Sequence, residues 1–163
     1  MSLKSYSRMA IVSLSDDHHV VRHVPYGLVD WDDAGGIKGI FPQAFELKEK
    51  DEGYLSACWR EFFRGLKQHQ IAGIAAFMGK TRKVTDKQAF ACGRIGDIKD
   101  ACSEYGQKIR VLHEPDPEEN LSYSAIRRYQ SDNMELLELL ASEAWNDVTP
   151  SKDVVVLVGP WPR

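Results

Sequence analysis

His18-His-Val-Val-Arg-His-Val-Pro25 is the stretch on which the reading of the whole chain turns. Wound as a helix, it would set His19 and His23 on one face as a metal-binding pair. Extended as a strand, it separates residues four apart by about 13 Å, and ligand bonds near about 2 Å cannot bridge that gap. Three β-branched valines and a terminal Pro25, which cannot donate to a ladder, favour the strand. The metal pair is therefore set aside, no metal site is expected, and the chain must build a sheet around this segment.

Working outward, Met9-Ala-Ile-Val-Ser-Leu14 reads as a short strand or ordered lead-in, and Asp30 to Gly36 as a loop dense in turn formers. Ile37 to Leu47 has strand-like stretches broken by Gly39 and Pro42. After the polar turn Lys48 to Gly53, Ser56 reads as the N-cap of a helix whose apolar stripe is Trp59, Phe62, Phe63 and Leu66. Ile71, Ile74, Ala75 and Met78 repeat the spacing up to a stop at Gly79. Gln88 to Cys92 is a candidate short strand, and Asp97 is placed as the cap of a helix closed by Gly106. Lys108 to His113 alternates as a strand does, and Glu114 to Asn120 is an acidic, proline-rich loop. Ser131 and Asp132 should start a helix reaching Trp145, with Met134, Leu137, Leu140, Ala141 and Ala144 inward. Val154 to Val158 suits a buried strand. Strands and helices without strict alternation predict an α+β fold: one globular domain over 1–163, a mixed or antiparallel sheet packed by about three to four helices.

Composition narrows the function classes. The chain has 163 residues, 43% of them hydrophobic and 28% charged, the profile of a globular protein. A formal net charge of −3 disfavours nucleic acid as a partner, because phosphate backbones select basic surfaces. The basic run Lys80-Thr81-Arg82-Lys83 with Lys87 is interrupted by Asp86 and reads as a solvated loop. Cys58, Cys92 and Cys102 are scattered, with no CxxC pair, and read as buried thiols of a reducing compartment. No apolar run approaches the roughly 18 residues that span a bilayer, so no membrane is expected and the cytoplasm is the default location.

Few residues carry chemistry on their own. Gly93-Arg-Ile-Gly96 lacks the spacing of a nucleotide loop and is read as a turn. His113 ends a strand, can titrate near neutral pH, and has Glu114 beside it as an orienting carboxylate. No serine or cysteine is marked as its nucleophile, and a surface histidine beside a turn is the plainer reading. Trp59 and Trp145 belong to apolar stripes, whereas Trp31 and Trp161 fall in loop-like segments and are candidate binding residues for a partner.

Five blocks taken together resemble a family of small uncharacterised bacterial proteins: His19-Val-Val-Arg-His-Val-Pro25, Ala44-Phe45, Tyr54-Leu-Ser-Ala-Cys-Trp-Arg-Glu-Phe-Phe63, Phe90-Ala-Cys-Gly-Arg-Ile-Gly96 and Val111-Leu-His-Glu-Pro115. The resemblance implies a Pro-Ser-His-Ala-like motif after the last block. Here the stretch is Asn120-Leu-Ser-Tyr-Ser-Ala-Ile126, with Tyr123 at the histidine position, which makes Asn120 and Tyr123 candidate binding residues. It also suggests a mobile or defence-associated locus. A second likeness covers Arg22, a Gly-rich turn, and Tyr54-Leu-Ser56 leading to Glu61, which is similar to the opening of RES-type and other ADP-ribosyltransferase-like folds. That likeness implies an arginine on the pyrophosphate of NAD, an aromatic and a serine framing the nicotinamide, and a carboxylate at the ribose.

Two functions follow as expectations. The first is an interaction or accessory module of a bacterial multi-protein system, without cofactor, contacting a protein partner through the Glu114 to Asn120 loop and the loop tryptophans. The alternative is an NAD-binding or NAD-consuming enzyme using Arg22, Tyr54 and Ser56, with Glu61 or Glu114 as the carboxylate.

Overall fold

The computed structural model describes residues 11–48 and 53–154. Strand β2, His19–Val24, forms as the valines require and lies inside the sheet. The sheet contains β1 (Val12–Ser13), β5 (Leu55–Trp59), β6 (Ala89–Arg94), β7 (Arg110–His113), β8 (Tyr123–Arg127) and β9 (Asp147–Pro150). The spatial order is β1-β7-β8-β5-β2-β6-β9, and every neighbouring pair is antiparallel. β3 (Val29–Trp31) and β4 (Ile37–Ile40) form a separate hairpin. Three helices pack on the sheet: α1 (Lys67–Met78), α2 (Ile95–Glu104) and α3 (Met134–Leu139), the last continued by a π-helical turn over Leu140–Ala144. The fold is thus α+β with an antiparallel sheet. None of the helices among the described residues is long and apolar enough to cross a membrane.

Alternation along the strands divides the core into two layers. Val20, Val24, Leu55, Ala57, Ala91 and Ile126 face one way, where Ile98, Cys102, Leu136, Leu140 and Trp145 cover them. Val21, Cys58, Phe90 and Cys92 face the other, under Phe63, Ile71 and Ile74. The three cysteines are buried and unpaired.

Several local expectations need correction. Leu55–Trp59 is a strand rather than the start of a helix, and Ser56 is therefore no N-cap. Its backbone pairs with β8 on one side and meets β2 at Val20 and Val21 on the other; a helix there would orphan both neighbours' ladder groups. A 3₁₀ turn, Arg60–Phe62, follows before α1 begins at Lys67. Helix α1 lies so close to Phe63 that a Cβ on Gly73 would sit 2.6 Å from its ring. Asp97 lies inside α2 and pairs with Arg94, while the first amides of that helix bond to His18 O and Asp16 O. Helix α3 is capped by Asn133, whose side chain accepts from Glu135 N and Leu136 N, so Ser131 and Asp132 precede it. Met134, expected inward, is 45% exposed at the first helical position. The predicted loop at Asp30 to Gly36 begins inside β3, and β8 and β9 carry no periodic signal that announced them. Val154 is buried in a turn; residues 155–158 and Trp161 lie outside the described residues.

Candidate functional site: a cleft where the central strands part

β2 and β5 pair only at Val20↔Trp59 and Val21↔Cys58 and then separate. Parting leaves the Ser56 carbonyl of β5 without a ladder donor, and Arg22 supplies one while also reaching the 3₁₀ turn Pro42–Phe45. Its Nη1 donates to Ser56 O, and its Nη2 donates to Ala44 O at 2.9 Å. The opening forms a cleft of about 390 Å³, lined among others by Arg22, His23, Ser56, Cys58, Asn120 and Tyr123. That volume falls within the roughly 300–1,000 Å³ usual for small-molecule sites.

Three adjacent strands furnish the polar wall. Ser56 on β5 lies beside β8, and its Oγ is 2.8 Å from Tyr123 Oη. Burial pushes the Tyr123 phenol up to about 12, with the Ser56 hydrogen bond opposing the shift. Tyr54 is close enough to push the Tyr123 phenol the same way as burial does, and it is itself covered by Arg127, whose guanidinium carbon lies 4.6 Å from the ring centroid. Glu114 grips that guanidinium with two 2.7 Å hydrogen bonds. Glu114 thus props Tyr54 through Arg127.

The acidic loop forms one rim. Asp116 and Asn120 form an antiparallel bridge, and Asp116 Oδ1 accepts from Glu118 N and Glu119 N. Asn120 donates from Nδ2 to Cys58 Sγ at 3.3 Å and accepts from Ser122 N and Oγ. Burial raises the Cys58 thiol pKa, so it stays protonated as a packing group. Arg82, just beyond α1, contributes to another edge, and Glu46 and Lys48 line the cleft as well. Cations Arg22, Lys48 and Arg82 therefore share the cleft with carboxylates Glu46, Asp116 and Glu119.

Arg22, Ser56, Asn120 and Tyr123 are thus brought together, and Tyr54 joins them from behind Tyr123. The structure keeps other sequence candidates apart. Glu61 Oε2 pairs with His19 Nδ1 at 2.7 Å, its Oε1 accepts from His19 N, and neither it nor Glu114 lines the cleft. His113 is 6% exposed rather than a surface group; its ring lies 5.0 Å from Trp59, and Nε2 meets Leu121 O at 2.8 Å. Trp31 stacks on Tyr26 at 5.6 Å and lines a second, more open hollow of about 770 Å³. Gly93 is a strand residue, not a turn: a Cβ there would sit 2.7 Å from Ala144 O. No metal-binding cluster of His, Cys, Asp or Glu exists among the described residues.

His23 and Arg82 were missed as site residues. In the sequence His23 stands out only as a partner of His19, and Arg82 only as part of a basic run; neither pattern reports that a sheet opens beside it. No protein-family model matches the chain, and neither do the curated proteins or solved structures with which it was compared.

Proposed function

We propose that this chain binds NAD in the cleft between β2 and β5 and acts as an ADP-ribosyltransferase-type enzyme. One observation carries the reading: Arg22, Ser56 and Tyr123, from three neighbouring strands, meet where the ladder opens. In this reading Arg22 and Arg82 supply the positive field for the pyrophosphate, since charge-assisted hydrogen bonds to phosphate are among the strongest available. Ser56 and Tyr123, backed by Tyr54, frame the nicotinamide. Rim carboxylate Glu119 faces the ribose, in place of Glu61 or Glu114, where negative charge stabilises a developing oxocarbenium ion. The mixed charge of the lining suits a ligand that carries an anionic pyrophosphate and a cationic ring.

The test is calorimetric titration with NAD alongside a nicotinamide-release assay. Wild type should bind and release nicotinamide. Arg22→Ala should weaken binding at least tenfold, about 1.4 kcal/mol, while its circular dichroism stays native. Wild-type protein that neither binds nor splits NAD removes the proposal.

A second reading is favoured by one surface. Tyr26, 60% exposed, stacks with Trp31 beside Asp32 and Asp33. We propose it as the contact for a protein partner if the chain serves as an accessory module in a bacterial multi-protein system. Trp31→Ala would then release a partner that co-purifies with wild type at fixed stoichiometry, and NAD titration would be unaffected.

A further inference from the structure

His23 lines the cleft, and the hydrogen bonds around it decide its tautomer. Gln88 Oε1 lies 2.8 Å from His23 Nε2 and also accepts from Thr85 N at 2.9 Å. The backbone amide of Thr85 can only donate, so the atom facing His23 is the amide oxygen. On the other side of the same amide, Gln88 Nε2 lies 3.5 Å from Lys83 O, a long contact that agrees with this orientation. An oxygen acceptor obliges His23 Nε2 to carry the hydrogen. In the neutral ring Nδ1 is then the lone-pair nitrogen, and no hydrogen bond reaches it among the described residues. The edge of the ring packs on Phe90, at 5.6 Å between centroids, which holds the imidazole in place.

We propose that His23 is the cleft's proton acceptor, taking the hydrogen of the attacking hydroxyl through Nδ1 while Gln88 holds the opposite nitrogen as a donor. This rests on the NAD reading and adds a catalytic residue to it. With water or an alcohol as acceptor, the oxygen lone pair forms the bond to ribose C1′ as the C1′–N bond breaks. That bonding pair leaves with nicotinamide, which departs neutral, and the hydroxyl proton passes to Nδ1. The positive charge that began on the nicotinamide ring ends on the imidazolium, so charge balances.

The surroundings suit a base. Burial is the main influence on His23 and lowers its pKa, with Arg82 and Arg22 pushing the same way and the Gln88 hydrogen bond opposing. Lys48, Glu46, Asp116 and Glu119 are the other charged groups in the lining, with Cys58 and Tyr123 as further titratable ones. The ring is thus neutral at pH 7 and becomes cationic once the proton has moved. A base positioned in this way contributes about 10²–10⁴-fold to rate.

Two measurements decide it. Nitrogen-15 shifts of the wild-type imidazole at pH 7 should report a neutral ring protonated at Nε2; an imidazolium, or a ring protonated at Nδ1, overturns the assignment whatever any variant does. His23→Gln should then lose about 100-fold or more in nicotinamide release, keep its NAD affinity within about twofold, lose the acidic limb of the pH profile, and regain rate with added imidazole. Unchanged release, or equal loss of binding and rate, overturns the role of His23 while leaving NAD binding standing. Wild type that binds NAD without splitting it does the same, and wild type that does not bind NAD overturns both. Should His23→Gln fail to fold, Gln88→Leu leaves the ring in place, frees its tautomer, and should lower the rate less than tenfold; an unchanged rate again overturns the role.

Discussion

The two ends of β2 hold similar residue types in opposite circumstances. At one end His18, His19, Trp59, Glu61 and His113 form a closed group: Trp59 Nε1 donates to His18 Nδ1, Glu61 clamps His19 by side chain and backbone, and His113 reaches Leu121 O. At the other end His23, Arg22, Ser56 and Tyr123 border a cleft. Both ends carry histidine and arginine with carboxylates nearby, Arg60 lying 3.5 Å from Glu61 at the closed one. Only at the second do the strands separate, so only there do such groups meet space for a ligand. A histidine–carboxylate pair is thus a weak sign of chemistry until the backbone around it opens.

This contrast can be broken by substitution at the closed end. His113→Ala empties a buried ring site and leaves Leu121 O without its donor. We expect a loss of about 2–4 kcal/mol in urea unfolding, with NAD titration unchanged. A large loss of NAD affinity in a stable protein would show that the two ends are coupled.

Titration sharpens the comparison next. Burial makes His23 harder to protonate when folded than its ordinary 6.5. The unfolded chain then takes up this proton first as pH falls, so stability is lost on acidification through 6.5 and the loss levels off below the folded pKa. The slope from one such group is at most about 1.4 kcal/mol per pH unit. Denaturant midpoints for wild type and His23→Gln should therefore converge between pH 7 and 5 if wild type is the more stable, and separate otherwise. Parallel curves would mean that His23 titrates alike in both states.

The smallest effect is expected at Glu61. The pair with His19 is partly exposed, at 28% and 21% of the two side chains, and Glu61→Gln retains an oxygen for His19 N. It should cost less than about 1 kcal/mol and leave nicotinamide release unchanged. A release rate reduced by two orders of magnitude would restore Glu61 as the carboxylate and displace the rim.

What could be read in advance followed from short-range physics. The valines of β2, the Ile71-Ile74-Ala75 spacing of α1 and the alternation before His113 each report one local preference, and each element forms where expected. β5 was read as helical because Trp59, Phe62, Phe63 and Leu66 happen to fall at helical intervals. Pairing with β8 and β2 outweighs that coincidence, and the aromatics end up split among a strand, a 3₁₀ turn and a loop. β8, Tyr-Ser-Ala-Ile-Arg, hides its strand character because Ser124 is buried as fully as Ile126. The clustering of Arg22 with Ser56 and Tyr123 was half legible: the residue types stood out, but not the gap between strands that unites them.

By itself the sequence determined that a sheet would form around Val20 and Val21, that the cysteines would be buried, and that the 114–120 segment would be a loop. Only the tertiary structure decided which polar groups share a cavity, because β2 and β5 lie 34 residues apart at Arg22 and Ser56. Their divergence depends on how far the ladder can extend between them. Local propensity acts over a few residues and carries no information about where two distant strands stop pairing.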